Sequence, residues 1–200
     1  SDRIDVMGTG TINIDDHQQL QLTTQYYKSE SDGKHGLFLG ENFAAVTGDA
    51  KAYNKDNLDS DRIPGTERHL INLQYSNTDF WGQDLVAQIY YRDESLTYYP
   101  FPTLSKGAVT SIGASQQKTD FYGGKLTLNS KPMDDLTLTW GVDADHETFD
   151  ANQQFFDLSK AATSGGMELD NAYNVGRYPG YSITNLAPFL QASYDIDAIT

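Results

Sequence analysis

The sequence predicts an all-β chain, an antiparallel up-and-down segment of a transmembrane β-barrel. Three observations predict it. Apolar residues recur with period two rather than 3.6. The connections between the alternating stretches are short and long by turns. The faces opposite the apolar residues are rich in Gln, Thr, Asn and Asp, too wet for a packed core of this size.

The elements follow in order. Ile4, Val6, Gly8, Gly10, Ile12 and Ile14 share one face over 3–14, with Met7 an exception. Asp15-Asp16-His17 reads as a turn. Leu20, Leu22, Thr24 and Tyr26 then alternate with Gln19, Gln21, Thr23, Gln25 and Tyr27 over 18–31. Ile71, Leu73 and Tyr75 mark a strand over 67–76, and Leu85, Ala87, Ile89 and Tyr91 one over 84–98. Tyr122, Leu126 and Leu128 mark 118–130. Leu136, Leu138, Trp140, Val142 and Ala144 mark 136–149, and Leu190, Ala192, Tyr194 and Ile196 mark 186–196. These seven stretches match or slightly exceed the roughly 9–11 residues that a tilted strand needs to cross a bilayer.

The connections are 15–17, 32–66, 77–83, 99–117, 131–135 and 150–185. Short turns at one end and long loops at the other are the layout of an outer-membrane barrel. Prolines 64, 100, 102, 132 and 179 fall in connections, and Pro188 near a strand start. Phe80 and Trp81 in a short turn suit one aromatic girdle, and Tyr26, Tyr27, Tyr90, Tyr91, Tyr98 and Tyr99 at the long-loop ends suit the other. Seven meandering strands leave two open edges, so the chain reads as part of a larger barrel.

Composition narrows function. The 200 residues hold 28 Asp+Glu against 14 Lys+Arg, a formal charge of −14, which argues against nucleic acid as a partner. There is no cysteine, so neither a disulfide scaffold nor a cysteine nucleophile is available. No apolar run approaches a membrane-spanning helix. His17, His35, His69 and His146 show no metal-ligand spacing, so no metal site is expected. Asp56, Asn57, Asp59 and Asp61 lack the order of a calcium loop and read as a solvated acidic stretch. Asp143 and Asp145 share a face, but His146 points to the other, so they read as polar wall rather than a catalytic set, and no enzyme is expected. A passive porin, and less so a barrel hydrolase, are the alternative readings.

The candidate ligand-binding set is basic and aromatic. Arg68, Tyr90 and Arg92 lie on the polar face near the long-loop ends of neighbouring strands, Tyr98, Tyr99 and Phe101 at the next loop, and Arg177 and Tyr181 in the last. On so acidic a chain, arginines held on a lumen wall suit either structural ion pairs or an anionic ligand, and tyrosines supply flat surface with hydroxyl donors.

Several stretches resemble one family. They are Ser60-Asp-Arg-Ile-Pro-Gly-Thr-Glu-Arg-His-Leu70, Tyr90-Tyr-Arg-Asp-Glu-Ser-Leu96, Tyr99-Pro-Phe-Pro-Thr103 and Leu126-Thr-Leu-Asn-Ser-Lys-Pro-Met-Asp134. Trp140-Gly, Asp143-Ala-Asp-His-Glu147, Gly176-Arg-Tyr-Pro179 and Ile183-Thr-Asn-Leu-Ala187 continue them. In this order they resemble TonB-dependent siderophore receptors. The resemblance implies a 22-stranded outer-membrane barrel enclosing a plug. It implies uptake of a ferric hydroxamate–citrate siderophore driven by the TonB–ExbB–ExbD complex. Residues 1–200 would then be a partial barrel domain, with plug, TonB box and later strands outside it. The partners implied are the ferric siderophore, the TonB complex through the plug, and outer-membrane lipid. No cofactor is implied, iron arriving only within the siderophore.

Overall fold

The computed structural model describes residues 2–30, 59–60, 64–164 and 168–196. Seven strands form one antiparallel meander: β1 Asp2–Asn13, β2 Gln18–Glu30, β4 Gly65–Asn77, β5 Asp84–Thr97, β7 Ala108–Met133, β8 Leu136–Phe156 and β10 Asn171–Tyr194. They pair in the order β1-β2-β4-β5-β7-β8-β10, and β1 and β10 are the edges of an open sheet. β6 Phe101–Ser105 adds a hairpin on β7, and β3 Asp59–Ser60 pairs in parallel with β9 Glu168–Leu169.

The short turns are where the sequence put them. In 14–17 the Asp15 side chain accepts from the His17 and Gln18 amides, each at 2.8 Å. Those bonds, the His17 amide foremost, hold the Asp15 carboxyl below its usual range. In the next turn Trp81 (φ 52) and Gly82 (φ 75) both take left-handed backbone, the geometry of a two-residue hairpin turn. Phe80 and Gln83 close it with backbone bonds of 2.8 and 3.2 Å.

Two of the three long loops expected from the sequence are largely strand. Residues 99–117 hold β6, the start of β7 and a Lys106-Gly107 turn with φ 50 and 81. Residues 150–185 hold the end of β8, a helix α1 Leu158–Thr163, β9 and the first half of β10, which begins at Asn171 rather than near 186. Pro179 lies inside β10, Pro102 inside β6 and Pro132 inside β7, not in connections. Bulges absorb them. β10 shifts register between Gly176 and Tyr178 and again between Tyr178 and Tyr181, and β7 shifts between Ser130 and Met133. The third loop, 32–66, lies mostly outside the described residues. So do the side chains of Asp56, Asn57, Asp59 and Asp61, and His35.

Register assigns every side chain to a face, because directly paired residues point the same way. One row runs Leu20, Tyr75, Ala87, Leu126, Val142, Pro188 across six strands. Leu22, Leu73, Ile89, Gly124, Ala144 and Leu186 form the next. Among the described residues no protein layer covers this apolar face: Ile89 is 61% exposed, Leu186 73% and Leu190 73%. Water does not tolerate so continuous an apolar surface, whereas hydrocarbon does. Tyr26 packs on His69 and Tyr122 on His146, at 4.9 and 5.2 Å between ring centres, on this face toward the long-loop end. With Tyr91 they form an aromatic band at that end, where the sequence places a girdle. Tyr27 and Tyr90, expected there too, pair in register with Arg68 and with Asn72 on the opposite, polar face.

The strands toward the chain's end are the long ones. β7 has 26 residues and β8 has 21, well beyond the 9–11 or so that cross a bilayer. Their surplus rises beyond the apolar band as a paired extension. There the outward face becomes a small core of Ile112, Ala114, Phe156, Ala161 and Leu169 under α1. Asp157 caps α1, accepting from the Ser159 amide at 2.8 Å and its hydroxyl at 2.6 Å. Lys160 pairs with Asp170 across the segment's return.

The Ser159 contacts hold the Asp157 carboxyl below its ordinary value of 3.8. A carboxyl depressed in the folded state stabilises above its unfolded pKa, and that contribution fades as pH falls through the folded one. The docked helix is therefore expected to loosen below about pH 3.8. Amide protection at Ala161–Thr163, referenced to unstructured exchange at each pH, checks this; protection unchanged at pH 3 contradicts it.

Candidate ligand-binding surface

The polar face carries the candidate site, and the structure divides the eight residues expected there. Tyr98, Tyr99, Phe101 and Arg177 come together with Tyr178 around a cavity of about 460 Å³, at the extended end of the sheet. Ser115, Gln117 and Gln153 complete its polar wall. That volume lies in the range of small-molecule sites, roughly 300–1,000 Å³.

Local structure explains each placement. The bulge at Gly176/Tyr178 lets two successive residues, Arg177 and Tyr178, serve one face. The Arg177 guanidinium lies 5.3 Å from the Tyr178 ring centre and donates to Ser115 Oγ. Ser115 is itself 3% exposed. Tyr98 is tied by its amide to the Ser115 carbonyl at 2.9 Å, and its hydroxyl donates to Gln117 at 3.3 Å. Phe101 pairs with Gly113, where a Cβ would come 2.8 Å from Gln153 Nε2. Glycine there keeps the Gln153 amide at the wall.

A second set lies further toward the short-turn end. Arg92 pairs in register with Phe121, and its guanidinium sits 5.3 Å from that ring's centre. Phe121 stacks on Tyr90 at 5.5 Å, and the Tyr90 hydroxyl donates to Asp143 at 3.2 Å. One strand over, Arg68 lies 5.6 Å from the Tyr27 ring centre and reaches Gln25 at 3.4 Å. Arg3 lies 5.3 Å from the centre of the same ring. Tyr181 belongs to neither set. It stacks on Phe149 at 5.0 Å between them and donates to Glu147 at 2.9 Å.

The electrostatics are unusual for a chain with twice as many acids as bases. Among the described residues no carboxylate pairs with Arg68, Arg92 or Arg177. The Nε groups of Arg68 and Arg92 are buried without a hydrogen-bond partner there. An aromatic ring lies against each of the three guanidinium groups, although Glu94 is the register partner of Arg68 on the same face. Such contacts contribute only about 0.5–1 kcal/mol each at exposed sites.

Asp143 and Asp145 line the same face but assemble no acid–base set. Asp143 accepts from Tyr90, and Asp145 accepts from Asn185 at 2.8 Å. His146 lies on the apolar face, bonded to Thr184 at 2.7 Å and Ser182 at 3.2 Å. Among the described residues no cluster of three metal-ligating side chains occurs. Sequence reasoning missed Ser115, Gln117, Gln153 and Phe121. A polar run Ser115-Gln-Gln within a strand is the available signal for the first two, but nothing local marks which residue will lie under an arginine.

No protein-family model matches the chain. Curated relatives do. A ferric aerobactin receptor of Klebsiella pneumoniae is 61% identical over 198 residues, and one of Escherichia coli is 60% identical over 198. Each alignment takes in 98% of this chain. This chain is a homologue of ferric aerobactin receptors. The resemblance carried by the quoted stretches is to that same receptor. A rhizobactin receptor of Rhizobium meliloti (strain 1021) is 35% identical over 196 residues. The chain spans about a quarter of these relatives' length, 27%, 27% and 26% in turn. Both receptor names are those of siderophore receptors, and the all-β sheet, with one face apolar and one polar, fits a receptor barrel.

Proposed function

We propose that the full-length protein carrying this sequence is an outer-membrane receptor that imports a ferric siderophore, ferric aerobactin foremost. Import is driven by the TonB–ExbB–ExbD complex acting on a plug domain outside these residues. Residues 1–200 form part of its barrel wall. Identity of 60–61% along the whole chain to ferric aerobactin receptors carries the reading. That Arg68, Arg92 and Arg177 have no carboxylate ion pair among the described residues supports it, since a siderophore bearing carboxylates is an anion.

The chain's residues attract, hold and orient; no covalent step is needed. Arginines draw the anion in, tyrosines pack its faces, and a difference in affinity between plug states passes the signal inward. Iron uptake through the full-length protein is expected to stop when the TonB system is deleted. Uptake that persists at the same rate would make the barrel a passive channel. Asp143 and Asp145 act as wall, so Asn at both positions is expected to change iron uptake by less than about twofold. Lost uptake at normal surface abundance would give those carboxylates a direct role.

A further inference from the structure

The extension that carries the outer cavity is one layer of strand with a different neighbour on each side. Successive residues of β7 alternate between those sides. Gly113 and Ser115 line the cavity on the polar side. Ile112 and Ala114, which alternate with them, are 0% and 1% exposed on the other side, in the small core under α1. β8 repeats the arrangement: Gln153 lines the cavity and Phe156 enters the core. Leu169 of β9 closes that core and is 0% exposed. The segment from α1 to β9 is tied to itself. The Asp157 amide donates to the Asp170 carbonyl at 2.9 Å, and the Glu168 amide to Ser164 Oγ at 2.9 Å.

Ser115 is where the two sides meet. Its hydroxyl accepts from Arg177 and its carbonyl from the Tyr98 amide at 2.9 Å. Its backbone follows directly from Ala114, which the core holds. A few strands standing beyond the rest of a sheet order poorly unless one face packs against another element. α1 and β9 supply that element. We infer that Leu169, with Ile112 and Phe156, is a positioning residue for ligand binding in the receptor proposed above. None of the three lines the cavity. Together they hold Ser115, and through it Arg177 and Tyr98, in the geometry that receives the anionic chelate. The hairpin is then ordered when the chain folds rather than when the ligand arrives, and a preorganised site binds more tightly for that reason.

The test uses the full-length protein in outer membranes, with labelled ferric aerobactin. Leu169→Ala opens the core without touching the cavity, and Kd is expected to rise about fivefold or more. Leu169→Met keeps most of the volume and is expected to stay within about twofold of the wild type. In an Arg177→Gln background Leu169→Ala should add less than it does alone, because the two changes act on one contact. In the purified, ligand-free protein the Tyr98 amide should exchange faster in Leu169→Ala. Kd is read from the protein that reaches the surface, counted by antibody, so lost folding lowers capacity rather than affinity. Ile112→Val is a milder second variant, expected to shift Kd in the same direction. A wild-type Kd in Leu169→Ala overturns the positioning role. So does unchanged exchange at Tyr98, and so do effects of Leu169→Ala and Arg177→Gln that multiply in full. Each of those results leaves the receptor reading standing. That reading, and the positioning role with it, falls if the wild-type protein binds no ferric aerobactin.

Discussion

Ile89→Arg is expected to prevent the barrel from assembling normally, while Gln88→Arg next to it is expected to be tolerated. The two residues are adjacent in β5 and point to opposite faces. Ile89 is in the middle of the apolar row with Leu73 and Gly124 on its neighbours. If that row meets hydrocarbon, an arginine there costs about 2–4 kcal/mol near the bilayer midplane. Gln88 pairs with Gln74 and Lys125 on the polar face and bonds Asn72 at 2.9 Å, so a longer polar side chain stays in contact with water. Heat-modifiable migration of the full-length protein from outer membranes reads out assembly. Equal tolerance of both substitutions would mean that the apolar face is not lipid-facing.

Gly141→Val is expected to be as damaging, for a steric reason. Gly141 pairs with Thr127 on β7 and Phe189 on β10, in the interior of the sheet. A Cβ there would lie 1.9 Å from the Leu126 carbonyl oxygen and 2.9 Å from Phe189 Cζ. The phenyl ring has room to yield, but the carbonyl belongs to a strand ladder and does not move without breaking register. Gly10→Ala is the matched control, since nothing lies within 4 Å of its Cβ position. The valine variant should give little folded protein and the alanine variant a normal yield. Normal assembly of Gly141→Val would show that β7 and β8 are less tightly joined than their register implies.

The meander was legible in the sequence because its signal is local. Ile71, Leu73 and Tyr75, or Leu136 through Ala144, alternate regularly enough to fix both strand and face. The same rule placed Arg68, Arg92 and Tyr90 on the polar face and set His146 apart from Asp143 and Asp145. It failed where the strands leave the apolar band. Above that level neither face is uniformly apolar, so Ser111 to Gln117 and Asn171 to Asn185 show no clean alternation. Pro179, Gly176 and Gly180 read as loop because bulges, which accommodate them, depend on the partner strand. Tyr27 and Tyr90 were misassigned to a girdle because loop-end position says nothing about face; parity does. The outer cavity was only half legible. Its aromatic and arginine members stand out by type, but their meeting depends on the β6–β7 hairpin and the β10 bulge, both products of tertiary pairing.

The central claim is that this barrel segment belongs to a receptor selecting an anionic ferric siderophore. The most direct measurement is equilibrium binding of ferric aerobactin to the full-length protein, with ferrichrome and ferric citrate as competitors. Tight binding that neither competitor displaces at about a hundredfold excess, a margin of about 2.7 kcal/mol, is the result expected. Preference for either competitor, or no binding of ferric aerobactin at all, would contradict it.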